Sequence, residues 1–140
     1  MTTAQATGAS ILRVALGIIF LAHSAYLKVF VFTMAGTAGY FESIGLPAFS
    51  AYAVCGIEMV GGLALITGIR VREAAIALAI VAFGAVWAHS SAGWLFTNEG
   101  GGWEYPLFLG LAAVAQALLG PGRFALTLPA ARRQAARAHA

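Results

Sequence analysis

AYAVCGIEMVGGLALITGIRVREAAIALAIVAFGAVWAHSS, residues 51–91, holds two apolar runs joined by Arg70-Val71-Arg72. The first, 51–69, carries one charged residue, Glu58, and the second opens at Glu73 and carries no further charge. An α-helix rises about 1.5 Å per residue, so about 20 residues cover the roughly 30 Å hydrocarbon core of a bilayer. The three-residue basic link then makes the two runs a tight antiparallel helical hairpin. This pattern predicts two membrane spans, 51–69 and 73–91.

A further run, 11–31, follows a polar leader (Met1 to Ser10) and is interrupted only by Arg13, His23, Ser24 and Lys28. A cleaved signal peptide is the competing reading, but a basic leading region is missing and apolar character continues past Ser24. Residues 32–50 mix turn chemistry with aromatics that favour the membrane interface, and predict a surface loop or short helix. Residues 92–103 are rich in glycine and polar groups, with Trp94 and Trp103 at the level of an aromatic belt. The last run, 104–119, stops at Gly120-Pro121-Gly122-Arg123, a strong helix terminator. Beyond it lies a basic tail, 123–140, with Arg132, Arg133 and Arg137.

The expected architecture is therefore all-α: one membrane domain over residues 1–140, a bundle of four transmembrane helices. Composition agrees, because 61% of the 140 residues are hydrophobic and only 9% charged, against about 45–50% and about 25% in soluble domains. Lipid must replace the missing polar shell. The basic residues do not form a stripe interleaved with aromatics, so no nucleic-acid partner is expected. Cys55 is the only cysteine, which rules out an intrachain disulfide and reads as a small buried hydrophobe.

Cytoplasmic ends of spans collect Lys and Arg. With the amino terminus inside, Arg13, Arg70, Arg72, Arg123, Arg132, Arg133 and Arg137 fall on the cytoplasmic side and only Lys28 outside, so both ends are expected inside. Seven Arg to one Lys, no Asp and heavy Ala use point to a GC-rich bacterial genome, hence the bacterial inner membrane.

Glu58 needs a partner. A charge at the centre of a span costs about 2.5–3.5 kcal/mol on insertion scales. The seven Val, Leu and Ile residues of 51–69 return only about 0.3–0.6 kcal/mol each. Glu58 must then face the other helices. Gly61 and Gly62 share its helical face, where they allow either close helix packing or the approach of a flat ligand. His23, Lys28, His89 and Glu104 all lie toward the outer ends of their spans, so they and Glu58 can share a polar cavity open to the outer face. Each also has a simpler use: hydrogen bonds to a neighbouring helix for the histidines, an outward-reaching head for Lys28, and a helix cap for Glu104. The possible ligands come from separate spans without close spacing, so no metal site is predicted. Motifs of soluble enzymes are lacking too.

The chain resembles the DoxX family of small four-helix membrane proteins from Leu12 to Leu126. The resemblance is carried by Arg13-Val-Ala-Leu-Gly17 with His23 and Lys28, by Glu58-Met-Val-Gly-Gly62 through Gly68, and by His89. It continues through Gly101-Gly-Trp-Glu-Tyr-Pro-Leu107 and Leu118-Leu-Gly-Pro-Gly-Arg123. Ser24 departs from the glycine that often follows the histidine. The resemblance implies quinone-linked redox work, as in thiosulfate oxidation and terminal quinol oxidase assemblies. It marks Arg13, His23, Lys28, Glu58, His89, Trp103, Glu104 and Arg123 as site positions.

The leading expectation is a redox-associated membrane subunit, a possible quinone-linked oxidoreductase component. Glu58 and His89 would act as acid and base, and His23, Lys28, Gly61, Gly62, Trp103 and Glu104 would bind the ligand, with Arg13 and Arg123 structural. The expected cofactor is a quinone, with none held covalently. Nothing in the sequence holds haem, flavin or an iron-sulfur cluster, so electrons need a partner redox protein or larger membrane complex. The alternatives are a scaffold or assembly subunit, and a small-solute or proton transporter. The transporter is disfavoured because the inner halves of the spans hold little that is polar beyond Thr67 and Gln116.

Overall fold

The computed structural model describes residues 1–126, which leaves Arg132, Arg133 and Arg137 of the expected basic tail outside the described residues. Within that range the chain is all-helical, with five α-helices and no strand. Helix α1 spans Thr3–Leu21 and runs without a break into a π-helical segment, Ala22–Val31. Helix α2 is Met34–Ser43, α3 Phe49–Thr67, α4 Val71–Ala88 and α5 Glu104–Leu119.

The polar leader is helical from Thr3, because Thr2 and Gln5 close a reciprocal cap. Gln5 N–H donates to Thr2 Oγ1 at 3.2 Å, and Thr2 N–H donates to Gln5 Oε1 at 2.7 Å. At the end of α3, Gly68 adopts φ +81, a left-handed conformation open to glycine. The chain there reverses within three residues into α4.

Three helical stretches are long and apolar enough to cross a membrane: Thr3–Val31, Phe49–Thr67 and Val71–Ala88. Helix α5 is apolar but has only 16 residues, under the roughly 17–25 that a span usually uses. The first stretch packs along α3, α3 along α4 and α4 along α5, while α5 also touches α1. Their shared core holds Leu16 and Phe20 of α1, Leu65 of α3, Ala75 and Leu78 of α4, and Leu109 of α5.

Burial runs opposite to that of a soluble protein. Val60, Leu63, Ile76, Ile80, Phe108 and Leu118 are exposed, whereas Arg13, Ser24, Glu58 and Gln116 are buried. Apolar side chains facing outward around a partly polar interior require lipid as the surrounding medium.

Two glycines bring α1 against α3. A methyl group on Gly17 would lie 2.7 Å from Gly62 O, and one on Gly62 would lie 2.9 Å from Gly17 O. Dispersion between closely approaching backbones is what holds membrane helices together when hydrophobic exclusion cannot. This contact fixes the antiparallel register and divides the molecule into two ends. One holds the α3–α4 link, and the other holds α2 and the loop between α4 and α5.

Candidate functional site

At the loop end, Lys28 Nζ donates to Glu58 Oε2 at 2.7 Å, with side-chain exposures of 17% and 6%. Glu58 sits midway along α3. The register that sets Gly17 against Gly62 also brings Ser24 beside Cys55, whose thiol lies 4.0 Å from Ser24 O. Glu58 therefore lies deeper than Lys28, and the two side chains, each tilted toward its own helix's N-terminus, lean toward one another to meet. A lysine near a membrane surface ordinarily extends its head toward water. Here the head turns inward, which follows from the cost of leaving a carboxylate without a partner at that depth.

The backbone that aims Lys28 is unusual. From Ala22 to Val31 the helix uses i→i+5 bonding, as in Phe32 N–H to Leu27 O at 2.8 Å, and such segments are uncommon beyond a single turn. Widening a helix leaves carbonyls at the junction short of donors, and two side chains answer them. His23 Nδ1 lies 2.9 Å from Ile19 O, while Ser24 Oγ donates to Phe20 O at 2.9 Å and Leu21 O at 3.2 Å. Side-chain donation to the carbonyl one turn back is a common cause of helix distortion. At the far end, Thr37 of α2 donates its hydroxyl to Lys28 O at 3.2 Å, which ties α2 to the segment that carries the lysine.

His23 stands five residues before Lys28, about one turn of the π segment, and its ring stacks on Tyr105 with centroids 5.8 Å apart and planes 27° from parallel. The start of α5 thus meets the π segment beside the ion pair. Four side chains gather here: Lys28, Glu58, His23 and Tyr105.

The remaining expected positions lie elsewhere. His89 ends α4, and its Nδ1 is 2.9 Å from Gly100 O; among the described residues it makes no polar bond with Glu58. Glu104 Oε1 accepts from Phe96 N–H at 3.1 Å. Trp103 packs edge-on against Trp94 with centroids 4.6 Å apart. These three shape the α4–α5 loop. A methyl on Gly61 would meet Leu78 at 2.9 Å, and one on Gly62 would meet Gly17 and Leu21, so protein fills the space in front of both. No three His, Cys, Asp or Glu side chains come together to hold a metal among the described residues.

At the link end lies a fully buried cation. Arg13, 2% exposed, donates through Nη1 to Leu65 O at 2.6 Å and Ile66 O at 2.9 Å, and through Nη2 to Arg123 O at 3.4 Å. Its partners include the last-turn carbonyls of α3, where the helix dipole places negative charge. Arg123 enters this arrangement through its backbone.

Tyr105, Thr37 and the capping action of Ser24 were not singled out from the sequence. A serine after a histidine in an apolar helix does carry a signal, since both side chains can bond back to carbonyls one turn earlier. Thr37 carries none, because tertiary packing alone brings it here, while Tyr105 falls within the Gly101–Leu107 stretch that carries the family resemblance.

Residues 8–91, more than half of the chain, match the DoxX family model. The chain belongs to the DoxX family. The matched stretch includes both members of the ion pair, along with Arg13, His23 and His89; Trp103, Glu104 and Arg123 lie beyond it. The chain is also similar to a Bacillus subtilis (strain 168) protein named "Putative oxidoreductase CatD", at 40% identity over 79 residues, 56% of this chain and 57% of that protein. The chain thus spans just over half the length of this relative. No solved structure matches the chain.

Proposed function

We propose that this DoxX-family protein is a redox-associated subunit of the bacterial cytoplasmic membrane, and that the Lys28–Glu58 pair is where it meets a quinone-type ring. The observation that carries this reading is the 2.7 Å ion pair held between two membrane helices. The chemistry of the donor set fits such a ring. Lys28 offers ammonium donors to a ring oxygen, Glu58 is an acceptor for the proton of a ring hydroxyl, and the stacked His23 and Tyr105 flank them with flat surfaces. The bound ring would supply the electron-carrying chemistry, and a partner redox protein would take or give the electrons. The protein's own part is to orient the ring and hold one proton on the Lys28–Glu58 pair. His89 bonds to Gly100 in the α4–α5 loop, and of the expected cluster it is Lys28 that partners Glu58. The name of the Bacillus relative supports a redox role.

In this reading α5 is a fourth, short crossing, which the bilayer accommodates by local thinning at a modest cost. Both chain ends lie on the cytoplasmic side. Among the described residues Arg13, Arg70, Arg72 and Arg123 all belong to the link end, while Lys28, near the loop end, turns its head inward, and that distribution supports the orientation.

Binding of a short-chain quinone to the purified protein tests the site. Replacing both partners by apolar side chains avoids stranding a charge. The double variant Lys28→Met/Glu58→Leu is expected to fold and to bind at least about tenfold more weakly, a loss of about 1.4 kcal/mol. His89→Ala is expected to bind as the wild type does. Unchanged affinity in the double variant rules out this site. A scaffold role is the second reading, favoured by the protein that fills the space before Gly61 and Gly62. It predicts a stoichiometric partner on purification and no quinone binding.

A further inference from the structure

After α5 the chain crosses the link end, and its backbone there is tightly held. Arg123 N–H donates to Ala6 O at 3.2 Å, and Arg123 O accepts from Ser10 Oγ at 2.6 Å and Arg13 Nη2 at 3.4 Å. The next residue, Phe124, has φ +58, a left-handed conformation that an aromatic residue rarely adopts. The strained turn sets the Phe124 ring, 80% exposed, at one end of a groove along α1. The Arg123 guanidinium lies 5.1 Å from the centre of that ring.

The groove has a volume of about 460 Å³, is lined by Ile11, Val14, Ala15 and Ile18 among others, and exposes apolar surface. It follows a membrane helix inward from the interface, so its natural occupant is a hydrocarbon chain. The charge at its mouth narrows the choice. Among the described residues Arg123 has no acidic partner, whereas Arg70 at the same end is held by Glu73 at 3.3 Å. A guanidinium fixed beside an apolar groove suits a molecule with a phosphate at one end and an acyl chain at the other. A second groove, between α4 and α5, is likewise bordered by an arginine, Arg72, at this end.

We infer that the groove between α1 and Phe124 binds an anionic phospholipid, with its phosphate on Arg123 and one acyl chain along Ile11, Val14 and Ile18. The pinned backbone holds the guanidinium in place before the lipid arrives. Phe124 serves as wall for the chain and platform for the cation. The site shares no residue with the Lys28–Glu58 pair, so either can fail alone.

Native mass spectrometry of the full chain, released from nanodiscs of equal phosphatidylglycerol and phosphatidylcholine with matched acyl chains, tests the inference. The wild type is expected to retain phosphatidylglycerol at least about fivefold over phosphatidylcholine, the factor one basic residue supplies near an anionic surface. Arg123→Gln should lower that ratio about fivefold, Arg123→Lys should keep most of it, and Arg70→Gln should leave it unchanged. Millimolar inorganic phosphate should not displace the lipid, since it lacks the chain. Should Arg123→Gln lose helix content, the wild-type headgroup ratio and its decline with added salt still decide the matter. Equal retention of both lipids by the wild type, a folded Arg123→Gln matching the wild type, or a lipid-free dimer in place of the adduct would overturn it.

Discussion

Arg13, buried, and Lys28, half-buried, lie on one continuous helix, yet they are neutralised in different ways. Arg13 is answered by backbone carbonyls at the end of α3, with two donors on Leu65 and Ile66. Lys28 is answered by a carboxylate, Glu58. A carbonyl cannot take up a proton at ordinary pH, so the first arrangement can only hold the helices together. A carboxylate can take one, so the second can also do chemistry. Between the two, Gly17 against Gly62 sets the spacing of both.

The sharpest break in this comparison comes from stranding one charge. Lys28→Met leaves the Glu58 carboxylate buried in mid-span without its partner, and it is expected to cost about 3–5 kcal/mol in equilibrium unfolding from mixed micelles. Lys28→Met/Glu58→Leu should recover most of that loss. Gly62→Ala comes next, because the added methyl meets the Gly17 backbone, and about 1–3 kcal/mol is expected from overpacking.

Arg13→Met should cost less, about 1–2 kcal/mol, the loss of its donors to the buried Leu65 carbonyl and the part-buried Ile66 carbonyl. Its mark is local: the amides of Arg123 and Leu126, which donate to Ala6 O and Thr67 O, should exchange hydrogen faster. Binding at the Lys28–Glu58 pair should stay as it was. Arg70→Gln breaks a surface pair with Glu73, both well exposed, and thermal scans should show no measurable change.

Several of these features were legible in the sequence for physical reasons. Long apolar runs can be recognised by composition alone, and a carboxylate in mid-span demands a partner whatever the fold. The identity of that partner was not legible. His89 and Lys28 are both placed by their span near the loop end, and only the π segment and helix register decide that Lys28 reaches Glu58 while His89 turns to Gly100.

The π segment itself is invisible to apolar periodicity, since its residues are mixed and its bonding shifts by one residue. The helical leader was legible in principle, as Thr2 and Gln5 have the spacing of a capping box, but the apolar run beginning at Ile11 outweighed it. Gly61 and Gly62 allowed two readings at the outset, and packing partners that lie far away in sequence, Leu78 and Gly17, fill the space before them.

Lys28 is the only lysine in the chain, so labelling lysine Nζ with ¹⁵N and glutamate carboxyls with ¹³C isolates a single nitrogen in a lipid bilayer. Dipolar recoupling by solid-state NMR should find that nitrogen in direct contact with one glutamate carboxyl, and the signal should vanish in Glu58→Gln. A lysine nitrogen coupled instead to lipid phosphorus, and indifferent to Glu58→Gln, would contradict the inward-turned ion pair.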